Sequence, residues 1–130
     1  MAYYLDTSAF VKLVVAEEDS DALRAWALDP GVVLVASDLL RTEALRAARR
    51  HSPEALLRTR ELLEAVTLMT VTADLCERAA ELDPTILRSL DALHLASALA
   101  LGDELAAVVT YDDRLVQACA AHGVPVLAPR

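Results

Sequence analysis

Cysteine, glycine and aromatic side chains are all scarce in this chain of 130 residues, and lysine occurs once, as Lys12. Two cysteines, Cys76 and Cys119, form no CxxC or other close pair. That spacing excludes a disulfide framework and a zinc site, and the two read as buried thiols. Only three glycines and 25% charged residues argue against disorder. Aromatics at 4%, beside abundant alanine and leucine, favour a helix-rich fold. Met1 is not followed by a basic start and a long apolar run, so no secretory signal is expected. The longest apolar stretches are too short to span a bilayer. A cytoplasmic location, without membrane association, is the expectation. No internal repeat, linker or low-complexity segment interrupts the chain, so residues 1–130 are read as a single domain.

What is present is a 55% hydrophobic composition and an excess of acid: net charge −8, pI near 4.7. An acidic balance speaks against a nucleic-acid partner, because phosphate binding rests on Lys and Arg. Two features soften that objection. Carboxylates that bind Mg²⁺ or Mn²⁺ count as negative here but are neutralised by the ion. The basic residues are also bunched, with Arg41, Arg46, Arg49, Arg50, Arg58 and Arg60 in one short segment.

Short β-prone runs alternate with helical stretches. Tyr3-Tyr4-Leu5 ends at Asp6, and Thr7-Ser8 can cap a helix through Ala9 to Val15. A second helix runs from Asp21 to Leu28, and Pro30-Gly31 turns the chain into a strand over Val32 to Val35. Ser37 and Asp38 can cap a helix through Arg50, and Pro53 suits the first position of the next, to about Ala65. Val66 to Val71 reads as a third strand, Thr72 to Leu82 as a helix, and Asp83-Pro84 as a loop. Ser89 caps a helix from Leu90 to Leu101 that Gly102 ends. A fourth strand over Ala106 to Thr110, a helix from Asp112 to Ala121 and a short strand over Val124 to Leu127 complete the chain. Short strands apolar on both faces, alternating with helices, predict a parallel sheet covered on both sides.

In such a sheet ligands bind beyond the carboxyl ends of the strands. Asp6 follows strand one and Asp112 follows strand four. Asp91 lies in the first turn of its helix, and Glu43 lies one to two turns into the helix after strand two. Taken singly, the three aspartates also read as helix caps and Glu43 as a solvated acid. Their joint placement on one rim is what points to a site. Crowded carboxylates repel one another, and a hard divalent cation resolves the conflict. Oxygen-only ligation selects Mg²⁺ or Mn²⁺ over zinc, and phosphodiester hydrolysis is the natural reaction.

Four strings carry a resemblance: Tyr4-Leu5-Asp6-Thr7-Ser8-Ala9, Thr42-Glu43, Leu90-Asp91-Ala92-Leu93-His94-Leu95-Ala96 and Val109-Thr110-Tyr111-Asp112. In order and spacing they resemble the four acidic motifs of the PIN-domain family, in particular its VapC toxins, from Tyr4 to Leu127. The resemblance implies a three-layer α/β/α fold on a parallel sheet of about five strands. It also implies an Mg²⁺- or Mn²⁺-dependent endoribonuclease, the toxin of a toxin–antitoxin pair. On this likeness Asp6, Glu43, Asp91 and Asp112 are the catalytic, metal-holding residues. Ser8 and Thr110 support them through their hydroxyls, and Asp113 can assist or replace Asp112. The implied partners are a VapB-like antitoxin, a second copy of the chain, and a structured RNA such as tRNA or rRNA. The acidic pocket is itself a natural target for an antitoxin arginine carried on an apolar helix.

Arg46, Arg49 and Arg50 lie on one side of their helix, where they can hold an RNA backbone or pair with Glu43, Glu54 or Glu61. His94, three residues after Asp91, either approaches the site or packs as a structural histidine. A haloacid-dehalogenase-like phosphatase also begins with an Asp after strand one, but it needs a second Asp where Ser8 stands and a distant lysine. A response-regulator receiver needs an Asp after strand three, where Thr72 stands, and a lysine that residues 124–130 lack. A PIN-fold protein acting only as a non-catalytic binding module is the rival from another class, and the presence of all four acids argues against it.

Overall fold

A computed structural model describes all residues, Met1–Arg130. Five strands, β1 (Ala2–Leu5), β2 (Val33–Ser37), β3 (Thr67–Met69), β4 (Leu105–Val109) and β5 (Val126–Leu127), form one parallel sheet in the order β3-β2-β1-β4-β5. The chain steps outward from β1 to β3, then returns to place β4 on the other side of β1. The strand order therefore reverses between β1 and β4, and in an open α/β sheet that reversal opens a crevice at the carboxyl ends.

Seven helices cover the two faces: α1 (Thr7–Val14), α2 (Ser20–Ala27), α3 (Leu39–His51), α4 (Pro53–Ala65), α5 (Ala73–Ala80), α6 (Ser89–Leu99) and α7 (Asp113–Ala121). Side chains alternate along each strand and so divide the core. Leu5, Ala36 and Val109 pack with Phe10, Leu23, Leu40 and Leu63 of α1 to α4. Tyr4 and Val108 pack with Leu95, Leu115 and Cys119 of α6 and α7. Leu75 and Ala79 attach α5 to α6 through Ala92 and Ala96. This is the three-layer α/β/α arrangement that alternating strands and helices predict.

Local chemistry moved several expected boundaries. Asp6, not Thr7 or Ser8, caps α1: it leaves the strand in an extended conformation and its Oδ1 accepts from Ala9 N at 2.9 Å. Asp38 stands at the start of α3 without capping it and pairs with Arg41 instead. Ser89 is inside α6, whose N-cap Arg88 offers no side-chain acceptor. The third strand is only three residues long, because Val66 still closes α4 through its N–H to Leu62 and the edge strand pairs with β2 alone. The last strand is likewise confined to Val126–Leu127. Helix α6 ends at Leu99, before Gly102, whose φ of 57° turns the chain into β4. Cys119 is buried as expected, but Cys76 is exposed, since α5 turns Leu75 and Ala79 inward and leaves position 76 outside. No helix is long and apolar enough to cross a membrane.

Candidate active site

Asp6 occupies the crevice where the strand order reverses. It is 4% exposed, and its carboxylate is held by two hydroxyls from different parts of the chain. Ser8 Oγ donates to Oδ1 at 2.7 Å, and Thr110 Oγ1 donates to Oδ2. Each hydroxyl is itself fixed by a backbone donor: Tyr111 N reaches Ser8 Oγ, and Asp112 N reaches Thr110 Oγ1, both at 3.0 Å. The ends of β1 and β4 are thereby tied together through one carboxylate. Burial pushes the Asp6 carboxyl above its ordinary range, against the opposing pull of the Thr110, Ala9 and Ser8 hydrogen bonds.

Glu43, on α3, faces the same end of the sheet. Its Oε1 accepts from Thr7 Oγ1 at 2.7 Å and lies 2.9 Å from His94 Nε2. Burial raises this carboxyl too, but the His94 and Thr7 hydrogen bonds and the influence of the imidazole outweigh it, so Glu43 sits below its ordinary value. Behind Glu43 the chain of contacts continues inward. His94 Nδ1 lies 2.8 Å from the hydroxyl of Tyr4, which reaches Ser37 Oγ at 3.2 Å. Tyr4 and Ser37 are fully buried, and burial pushes the Tyr4 phenol up to about 12.

Asp91, in the first turn of α6, is half-buried and raised by burial and then by the charge of Asp112; His94, Arg88 and Arg114 pull the other way. Asp112 caps α7 through Oδ1, which accepts from Arg114 N at 2.9 Å. Asp113 is exposed at the first position of α7.

The four predicted acids lie at the carboxyl-end rim, Asp91 and Asp112 near enough to act on each other, Asp6 and Glu43 each with its own partners. No three Asp, Glu, His or Cys side chains stand in position to hold one ion together. The reason is visible in their contacts: Asp6 is turned to Ser8 and Thr110, Glu43 to Thr7 and His94, and Asp112 to its own helix. The donor chemistry nonetheless fits a hard cation. The set is all carboxylate oxygen, and Asp6 and Asp91 both bear a charge that their surroundings disfavour and that a cation would relieve.

Arg46, Arg49 and Arg50 line a shallow cavity of about 260 Å³ of their own, and none has a carboxylate within 4.0 Å. The expected alternative of pairing with Glu43, Glu54 or Glu61 is therefore not what the structure contains. Glu43, Arg46 and Arg50 follow one another along a single face of α3. His94 both packs and reaches the site. Sequence reasoning missed Thr7, Tyr4 and Ser37; adjacency to Asp6 was the one available signal for Thr7, and two-residue alternation on β1 for Tyr4. The largest cavity, about 740 Å³, lies away from the acids, among α1, α2, α4 and β2.

Comparison with known proteins adds three findings. The family model described as PIN domain matches residues 3–121. Ribonuclease VapC46 of Mycobacterium tuberculosis (strain ATCC 25618 / H37Rv) is 42% identical over 128 residues, covering 98% of each chain. Among solved structures, M. tuberculosis VapC20, described as a Sarcin-Ricin loop cleaving toxin, superposes with a TM-score of 0.75 at 22% identity over 98% of this chain and 99% of its own. VapBC2 from Rickettsia felis, bound to a DNA fragment from its promoter, gives 0.77 at 15% identity over the full length of both.

Proposed function

The chain belongs to the PIN-domain family, and from that membership we propose that it is an endoribonuclease, the toxin of a VapBC-type toxin–antitoxin pair, which hydrolyses RNA phosphodiester bonds with Mg²⁺ or Mn²⁺. The observation that carries this reading is Asp6: a buried carboxylate at the sheet's reversal point, oriented by Ser8 and Thr110, with Glu43, Asp91 and Asp112 on the same rim. Similarity to a named VapC ribonuclease, 42% identical over 98% of both chains, supports it.

Asp6, Glu43, Asp91 and Asp112 would hold the metal. A bound divalent ion would neutralise these carboxylates, lower the pKa of a water and steady charge on the phosphate. The remaining chemistry belongs to the chain. Ser8 and Thr110 fix both oxygens of Asp6. Thr7 and His94 fix Glu43, and Asp113 stands next to Asp112 as a second carboxylate at the head of α7. Arg46, Arg49 and Arg50, unpaired and lining one cavity further along α3, are suited to the sugar–phosphate backbone. A structured RNA such as tRNA or rRNA is the proposed substrate, and the cytoplasm the proposed location.

The proposed inhibitory partner is an antitoxin whose apolar helix carries an arginine. The large groove supports this: Leu13, Leu28, Val33 and Leu62 line it, and Leu28 is 81% exposed. An arginine reaching the acids would compete with the metal. A homodimer belongs to the same proposal and is read by light scattering. A non-catalytic binding module is not favoured, since all four acids are present and Asp6 is oriented by paired hydroxyls.

The test is incubation of the purified chain with tRNA and rRNA in Mg²⁺, Mn²⁺ or chelator. Cleavage that needs either ion supports the reading, and intact RNA under all conditions contradicts it.

A further inference from the structure

Beside Asp91, between the loop after α5 and the length of α7, lies a cavity of about 330 Å³ that includes Pro84, Ile86, Arg88, Asp91, Arg114 and Gln117. Its two arginines stand where helix stability does not favour them. Arg88 is the N-cap of α6 and Arg114 lies in the first turn of α7, at the positive ends of both helix dipoles. Neither guanidinium has a carboxylate within 4.0 Å, a state they share with Arg46, Arg49, Arg50, Arg58 and Arg60, and both act on Asp91 from beyond that distance. Ile86, at 88%, is the most exposed large apolar side chain of the protein. Two unpaired cations, the N-terminus of α6, which has no side-chain cap, and an apolar wall thus meet in one concavity.

We propose that this cavity is a nucleotide subsite of the ribonuclease: Arg88 and Arg114 hold a phosphate next to the scissile bond, and the base of that nucleotide lies against Pro84 and Ile86. The assignment rests on the ribonuclease reading above and adds the form of the substrate. An anion placed there meets two charged fork donors, and the N-terminus of α6, which has no side-chain cap, favours it further. A concave apolar wall accepts a base only when that base is unstacked, which a duplex does not present, so the strand is single-stranded at this point. Asp91 lines the same cavity, so the phosphate held there is adjacent to the acids. Arg46, Arg49 and Arg50 line a separate cavity further along α3. In a chain of net charge −8, such local patches are what steer a polyanion.

The test uses the full chain carrying Asp6→Asn, so that RNA is not consumed, and a short fluorescein-labelled single-stranded oligoribonucleotide in Mg²⁺. Arg88→Ala/Arg114→Ala is compared with the charge-matched Arg60→Ala/Arg78→Ala. All four side chains are exposed, and a thermal melt verifies folding. The first pair is expected to weaken binding roughly tenfold or more and to make the salt dependence shallower by about 0.7, the value for one phosphate on a single strand; the control pair is expected to do neither. Equal losses in both pairs, or an unchanged salt slope in the first, would overturn the subsite. A duplex that binds as tightly and loses as much with Arg88 and Arg114 would overturn the single-stranded assignment. Cleavage by the unmutated chain is measured alongside. If it cuts RNA while the arginine pair is neutral, the subsite alone fails; if it cuts no RNA, the ribonuclease reading fails with it.

Discussion

The imidazole of His94 joins Glu43 to the protein interior, with Nε2 at 2.9 Å from Glu43 Oε1 and Nδ1 at 2.8 Å from the hydroxyl of Tyr4. A carboxylate only accepts hydrogen bonds, so Nε2 must carry the proton. The ring thus acts as a strut that fixes Glu43 from behind, while Thr7 fixes it from the side. Every buried side-chain polar atom in the protein has such a partner.

His94→Ala removes that strut and leaves Tyr4 and Glu43 short of a partner. It should destabilise the protein by about 2–4 kcal/mol, from the cavity and the unsatisfied buried groups together. His94→Gln should lose less, because its amide can donate to Glu43 and accept from Tyr4. Urea unfolding of the two variants tests this, and equal stability of His94→Ala and the parent would contradict it.

The acids give the metal-free protein a two-sided pH dependence. Glu43 is held below its ordinary 4.5, so its stabilisation is present above that value and is lost as pH falls through the lowered folded pKa. Asp6 and Asp91 are raised above their ordinary 3.8. The folded state then binds more protons than the unfolded one, and stability falls as pH rises from 3.8 through the raised values. Urea midpoints followed upward from acid pH in chelator should rise, then decline, and Asp6→Asn should flatten the decline. A decline of equal slope in the variant would remove Asp6 as its source.

A cation relieving that crowding must stabilise the native state. At about ten times its dissociation constant, Mg²⁺ or Mn²⁺ should add roughly 1.4 kcal/mol, seen as a rise in Tm. Asp6→Asn should show little or none of it. Identical melting of the unmutated chain with and without millimolar metal would mean that these carboxylates do not hold an ion in the folded state.

The layered fold was readable because it rests on period and chain order. Strands β1, β2 and β4 stand out as apolar runs, and α4 runs from Pro53 to Ala65 as expected, since Ser52 and Pro53 mark its start chemically. The short edge strands β3 and β5 were overextended, because the point where pairing stops depends on the neighbouring strand and leaves no local mark. Asp6, Asp91 and Asp112 were visible because each follows a strand or opens a helix, and Glu43 because it lies within reach of the same rim early in α3. The His94 strut was not, since its partners lie 51 and 90 residues away. Arg88 and Arg114 stand alone in the sequence, 26 residues apart, and only folding brings them to one cavity.

The groove beside α2 offers a test of the partner that leaves the active site untouched. Leu28 is 81% exposed, so Leu28→Glu should change stability by no more than about 0.5 kcal/mol. If an apolar antitoxin helix fills the groove, the same change should weaken its binding by roughly tenfold, read by calorimetry with the co-expressed partner. Undiminished affinity would place the partner elsewhere.

If Asp6 is the core of a metal-dependent ribonuclease site, its loss shows in the rate of RNA cleavage by Asp6→Asn beside the unmutated chain in saturating Mg²⁺ or Mn²⁺. The amide keeps the shape and can still cap α1, so circular dichroism should show an intact fold. Without the charge, the rate should fall by roughly 10²-fold or more. A folded Asp6→Asn that cleaves RNA as fast as the parent would contradict the account.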